Sequence, residues 1–185
     1  MGTESNDPMQ RLVDEHRVIE RVLTRLAAYG LAVRRGEAVD PEALPGFVAF
    51  LRGYADAIHH GKEEQLVFAA LLRHGAPAEL VPRLAAIRRE HETARLLIGD
   101  LAAVAERGGP RSDRDRERLV QVIGDYTALL RRHIRDEDTA VFPATWAAMP
   151  GPLRRKVAKA CAKFDAGHAE QAAELCALAD RLVLV

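Results

Sequence analysis

Residues 112–143 read SDRDRERLVQVIGDYTALLRRHIRDEDTAVFP. Leu119, Val122, Ile123, Tyr126, Leu129, Leu130 and Ile134 recur every three or four residues, the spacing that lines up side chains on one face of an α-helix. Ser112-Asp113 supplies a helix start, and Pro143 is expected to bend or end the helix. His133 falls four residues after Leu129 and seven after Tyr126, on the inward face. The stretch therefore predicts a long amphipathic helix that aims an imidazole at the core.

The same pattern repeats outward in both directions. Asp7-Pro8 opens a helix that carries Leu12, Val13, Ile19, Val22, Leu23 and Leu26 and stops at Gly36. Asp40-Pro41 opens a second, running through Phe47, Phe50, Leu51, Leu66 and Leu71 to about His74-Gly75, with Pro45 tolerated in its first turn. A third begins near Pro77, carries Leu84, Ile87, Ala94 and Ile98, and ends at Gly108-Gly109-Pro110. A fifth starts near Pro152 and reaches Leu182. No period-two strand pattern is present. Four long helices joined by short turns predict an all-α, up-down-up-down four-helix bundle with an additional C-terminal helix packed on its side or end. The expected organisation is one domain over 1–185, with the bundle at about 8–148 and the last helix at about 152–183.

Composition narrows the function classes. The 185-residue chain has 27 Lys+Arg against 27 Asp+Glu, so it lacks the basic excess of a nucleic-acid binder. No apolar run is long enough for a membrane span, and Met1 to Pro8 is polar and acidic rather than leader-like. Cys161 and Cys176 sit fifteen apart on one expected helix, about 22 Å of rise, too far for a disulfide. The chain reads as soluble and cytoplasmic, with no nucleic-acid or membrane partner.

Seven histidines are present, and their placement matters more than their number. His16 continues the face of Leu12, Ile19 and Leu23. His91 continues that of Leu84, Ile87 and Ile98. His59 precedes Glu63 by four residues, and His133 precedes Glu137 by four, so each pair stacks on one helix face. Phe68 and Phe142 follow each histidine at the same distance, which makes the two segments look equivalent. A lone inward histidine is usually a hydrogen-bonded core residue, and an i,i+4 pair is usually a surface pair. Four inward histidines on four helices with two matching carboxylates are different: burying them unpartnered would cost several kcal/mol. A metal removes that cost by binding neutral imidazole and ionised carboxylate together. His60 and Glu64 share the spacing, but upstream Arg52, Gly53 and Asp56 place that face toward solvent. Tyr126 reads as core or as support for the site, His74 as a helix-end cation, and His168 as structural.

Glu15-His16-Arg17, His59-His60-Gly61-Lys62-Glu63-Glu64, Glu90-His91-Glu92 and His133-Ile134-Arg135-Asp136-Glu137-Asp138 with Phe142-Pro143 together resemble the hemerythrin-like, HHE cation-binding domains over roughly residues 10–148. The resemblance implies two iron ions, oxo- or hydroxo-bridged when oxidised. The ligands it implies are His16, His59, Glu63, His91, His133 and Glu137, with the glutamates bridging. Asp138 remains open as the fourth-helix carboxylate, although Glu137 mirrors Glu63. The implied function is reaction with, or sensing of, oxygen, nitric oxide or peroxide, with azide as a further small ligand; iron handling and peroxide scavenging are the alternatives. Oxygen carriers place a second histidine four residues after the one in the third helix. Arg95 stands there instead, which resembles the subfamily with four histidines and two glutamates, predicts one nitrogen fewer on that side and argues against simple oxygen carriage.

Overall fold

The computed structural model describes residues 7–182. Residues 1–6, part of the polar N-terminal stretch, and residue 183 of the expected last helix lie outside them. The first helix, α1 (Pro8–Arg35), starts where the Asp7 side chain accepts a hydrogen bond from the Met9 amide, and stops at Gly36, whose left-handed φ of 70° glycine adopts without strain. Helix α2 (residues 43–74) is continuous but not uniform. Its stretches Leu51–His60 and Glu63–Phe68 have the wider, π-type i→i+5 bonding. Helix α3 is Leu80–Ala105.

Helix α4 (residues 113–148) begins at the Ser112 cap and contains a π-type turn, Glu137–Val141. It does not stop at Pro143 but continues to Ala148. The wide turn just upstream loosens the bonding ladder where a proline ring would otherwise meet a carbonyl and leave it unpaired. Helix α5 (Gly151–Arg181) completes the fold. Among the described residues there is no strand, and no helix is long and apolar enough to cross a membrane. Cys161 and Cys176 are both free thiols.

Helices α1 to α4 form the bundle, with α4 beside both α1 and α3, and α2 beside α3. Helix α5 lies along the side of the bundle, on α1 and α2. The interior is split into two apolar layers. One contains Leu23, Leu26, Phe47, Phe50, Ile98, Leu101, Ile123 and Tyr126; the other contains Leu12, Phe68, Leu71, Leu84, Phe142 and Val157. Between them lies a buried polar layer made of His16, His59, His60, Glu63, His91, His133 and Glu137, each at most 1 % exposed. Apolar packing above and below walls that layer off from water.

Candidate metal centre

Each bundle helix delivers its side chain by a register already fixed by its apolar residues. His16 sits among Leu12, Ile19 and Leu23 on α1, and His91 among Leu84, Ile87 and Ala94 on α3. His133 and Glu137 stack on α4, and His59 and Glu63 on α2. The donor atoms gather into two groups, each within 4.8 Å: His16, His59, Glu63 and Glu137 in one, and His60, Glu63, His91 and His133 in the other.

The two glutamates link the groups. Glu63 sets Oε1 3.2 Å from His59 Nε2 and Oε2 3.4 Å from His91 Nε2. Glu137 sets Oε2 3.2 Å from both His16 Nε2 and His133 Nε2. His91 Nε2 lies 3.1 Å from His133 Nε2. The buried Nε2 atoms of His16, His59 and His60, and all four carboxylate oxygens of Glu63 and Glu137, have no hydrogen-bond partner. Lone pairs converging in a dry interior repel one another unless a cation sits among them. The imidazole and carboxylate donors of the two groups fit the binding of metal ions.

The outward nitrogens explain how the imidazoles are held. Glu15 of α1 accepts from His59 Nδ1 on α2 at 2.8 Å, and Glu64 of α2 from His91 Nδ1 on α3 at 2.7 Å. Glu90 of α3 accepts from His133 Nδ1 on α4 at 2.9 Å, and Asp138 of α4 from His16 Nδ1 on α1 at 2.6 Å. The four bonds run in one direction and close a ring around the bundle. His60 is tied within its own helix, to Asp56 at 3.3 Å. A carboxylate only accepts, so it fixes the proton on Nδ1 and leaves Nε2 free to bind metal. Each of these carboxylates faces a cation in turn: Asp138 meets Arg17, Glu90 meets Arg132, Asp56 and Glu64 share Arg95, and Glu15 meets Lys62.

These surroundings move the titrations of the metal-free site. Burial lowers the pKa of His59, but the nearby Glu63 charge and the hydrogen bond to Glu15 outweigh it and lift it to about 10. His133 rises to about 10 in the same way, against burial, through Glu137 and Glu90. Burial, with His91, His59 and His133 nearby, drives His60 well below the usual range. Burial works to raise the Glu137 carboxyl, yet His133 and His16 pull it far down. A metal held by His59 and His133 would have to compete with protons there, whereas His60 is biased toward its neutral form.

The six residues singled out in the sequence all lie in the polar layer. The structure also corrects the sequence reading at His60 and distinguishes Glu137 from Asp138. Glu137 belongs to the inner group, whereas Asp138 turns outward to His16. His60 does not face solvent: it is buried and stacks on His91, with ring centroids 3.9 Å apart. The donor group that contains His91 therefore holds three imidazoles, one of them from α2. Arg95 itself is half-exposed and bonds Asp56 and Glu64, both at 2.8 Å. The outer carboxylates were also missed, although Glu15-His16, Glu90-His91, Glu63-Glu64 and Glu137-Asp138 each place one beside an inner residue. Tyr126 is buried in an apolar layer, His74 is exposed at the end of α2, and His168 stacks on Phe164 of α5, away from the site.

The sequence matches the hemerythrin HHE cation binding domain over residues 7–145. It is 28% identical over 136 residues to proteins called only uncharacterized in Mycobacterium tuberculosis, strains ATCC 25618 / H37Rv and CDC 1551 / Oshkosh, and in Mycobacterium bovis. Those alignments cover 72% of this chain and 51% of each relative, so the chain spans about half the length of the curated relatives it matches. No solved structure gives a match. The family match runs from the first bundle helix into the last turn of the fourth and includes all seven inner donors, and the chain belongs to the hemerythrin HHE cation-binding family.

Proposed function

We propose that the chain holds a non-haem di-iron centre and reacts with or senses oxygen, nitric oxide or peroxide. The observation that carries this is the convergence of unpartnered imidazole and carboxylate donors into two groups that share Glu63, with Glu137 reaching a histidine of each. Mixed nitrogen and oxygen donors without a thiolate suit a mid-series divalent metal rather than an iron–sulfur cluster, magnesium or calcium. Two histidines with carboxylates, as in the His16–His59 group, suit non-haem iron with positions left open.

The two groups differ in imidazole count. His60, His91 and His133 crowd one side, while His16 and His59 alone serve the other. The side with fewer nitrogens is where a small ligand has room. An iron pair supplies electron exchange and affinity for small diatomic and peroxidic ligands when bound. The residues supply the rest: the outer carboxylates orient the rings, the two glutamates fix the separation, and the apolar layers exclude bulk water.

Iron content and absorption of protein purified in air test the reading. The expected result is about two irons per chain, one for each donor group, with near-ultraviolet bands that respond to azide or nitric oxide. Protein that folds fully and takes up no iron would overturn it.

A further inference from the structure

Helix α5 is seated on α2 in glycine notches. A Cβ on Gly46 would lie 2.7 Å from Leu182 Cδ2, and one on Gly53 would lie 2.7 Å from Leu175 Cδ1. Further along, Phe164 Cζ would be 3.9 Å from a Cβ on Gly61. At the end of this seam, Lys62 is 0 % exposed and its ammonium is held between Glu15 of α1 and Asp165 of α5. Asp165 also receives Arg11 at 3.1 Å. The other oxygen of Glu15 is the one that accepts from His59 Nδ1.

This arm differs from the other ties behind the histidines. Arg17, Arg95 and Arg132 are partly exposed arginines from the bundle helices, 49 %, 38 % and 56 % open. Lys62 is fully buried, and behind the inner histidines it alone among these cations brings in a residue of α5. A buried ammonium between two carboxylates is expensive to desolvate and is weak evidence for stability as its purpose. Its geometry does something more specific. The more firmly Lys62 holds Glu15, the less negative charge Glu15 lends to the His59 ring; Asp165 competes for the same ammonium and returns that charge.

We infer that α5 is part of the metal centre, with Asp165 acting through Lys62 and Glu15 as a positioning residue that sets the donor strength of His59. The inference rests on the reading of His59 as a metal ligand. A stronger donor favours the oxidised metal, and outer partners of ligating histidines tune both affinity and potential. Removing Asp165 leaves Lys62 wholly to Glu15, weakens His59 and raises the reduction potential. Removing Lys62 frees Glu15, strengthens His59 and lowers it. Loss of packing alone would not give opposite signs for the two halves of one ion pair.

The test uses the full chain loaded with iron. Midpoint potential and iron per chain are measured for wild type, Asp165→Asn and Lys62→Met, each also in a Glu15→Gln background. The expected result is a rise for Asp165→Asn, a fall for Lys62→Met, and at least a halving of both shifts once Glu15 is neutral, because the effects pass through one shared partner. Shifts of the same sign, or shifts that persist undiminished with Glu15→Gln, would overturn the relay. If Lys62→Met fails to fold, Asp165→Asn with and without Glu15→Gln decides it alone. Loaded wild type with a silent Asp165→Asn sinks this inference only; wild type that takes up no iron sinks the ligand reading and this one with it.

Discussion

Helices α2 and α4 carry the same spacing and do different work with it. Both have a histidine, three intervening residues and a glutamate, then a phenylalanine nine residues after the histidine. In α4 the backbone is α-helical through Asp136; His133 and Glu137 point inward, Ile134 joins the apolar core, and Arg135 and Asp136 are exposed. In α2 six consecutive residues, Ile58 to Glu63, are buried. Two causes combine there. The π-type bonding of Leu51–His60 puts more residues into each turn, so the neighbours His59 and His60 both reach the interior, one for each donor group. Helix α5 then covers the outward side, over Gly61 and Lys62. Spacing sets the shared pair of inward donors; backbone geometry and the covering helix set the other buried polar residues.

The sharpest way to break the equivalence of the two helices is to remove their glutamates one at a time. Each glutamate faces both groups. Glu63→Ala and Glu137→Ala should therefore each empty both positions, giving folded protein with nearly no iron by metal analysis. Glu64→Ala should do less: it unties His91 and frees Arg95, a loss of roughly 10–100-fold in affinity, as for other outer partners of ligating histidines. A Glu137→Ala variant that keeps one full metal while Glu63→Ala keeps none would show that α2 alone bridges.

His60 tests the asymmetry itself. Its counterpart in α4 is Ile134, so His60→Ala removes the one inner donor that α4 has no equivalent for. The expected outcome is a fall from about two irons per chain toward about one, with the His16–His59 group retained. Retention of two irons at wild-type affinity would make His60 a stacked core residue and restore the six-ligand set.

What the sequence disclosed follows from the same comparison. Apolar periodicity located all five helices, because heptad-like faces survive any local detail of the backbone. It placed His16, His91 and His133 inward for the same reason. His60 was not legible, because the inward test assumed α-helical rotation through a π-type stretch. The polar neighbours that argued for solvent were misleading too. Gly53 is a notch for Leu175, and Asp56 is engaged by His60 and Arg95. Nothing in a single sequence announces that a later helix will lie over residues 46–62. Pro143 misled in the opposite direction, since the turn that tolerates it lies at Glu137–Val141 and has no residue signature of its own.

The smallest effect separates the covered helix from the open one without touching a donor. Gly53 in α2 and Gly124 in α4 are both interior helical glycines. An alanine at Gly124 would meet nothing within 4 Å, whereas at Gly53 its Cβ would lie 2.7 Å and 3.2 Å from the two Leu175 methyl carbons. In a free helix, replacing glycine with alanine stabilises by about 1 kcal/mol through propensity alone. Gly124→Ala should realise most of that in chemical denaturation. Gly53→Ala gains the same propensity but must push Leu175 aside, and overpacking of this kind costs about 1–3 kcal/mol. Leu175 is a flexible side chain at a partly buried position, so the lower part of that range applies, and the net change should fall between zero and about 1 kcal/mol of destabilisation. The sign difference is the measurement. If both alanines stabilise equally, α5 does not bear on α2 at Gly53, and the burial of Gly61 and Lys62 needs another cause.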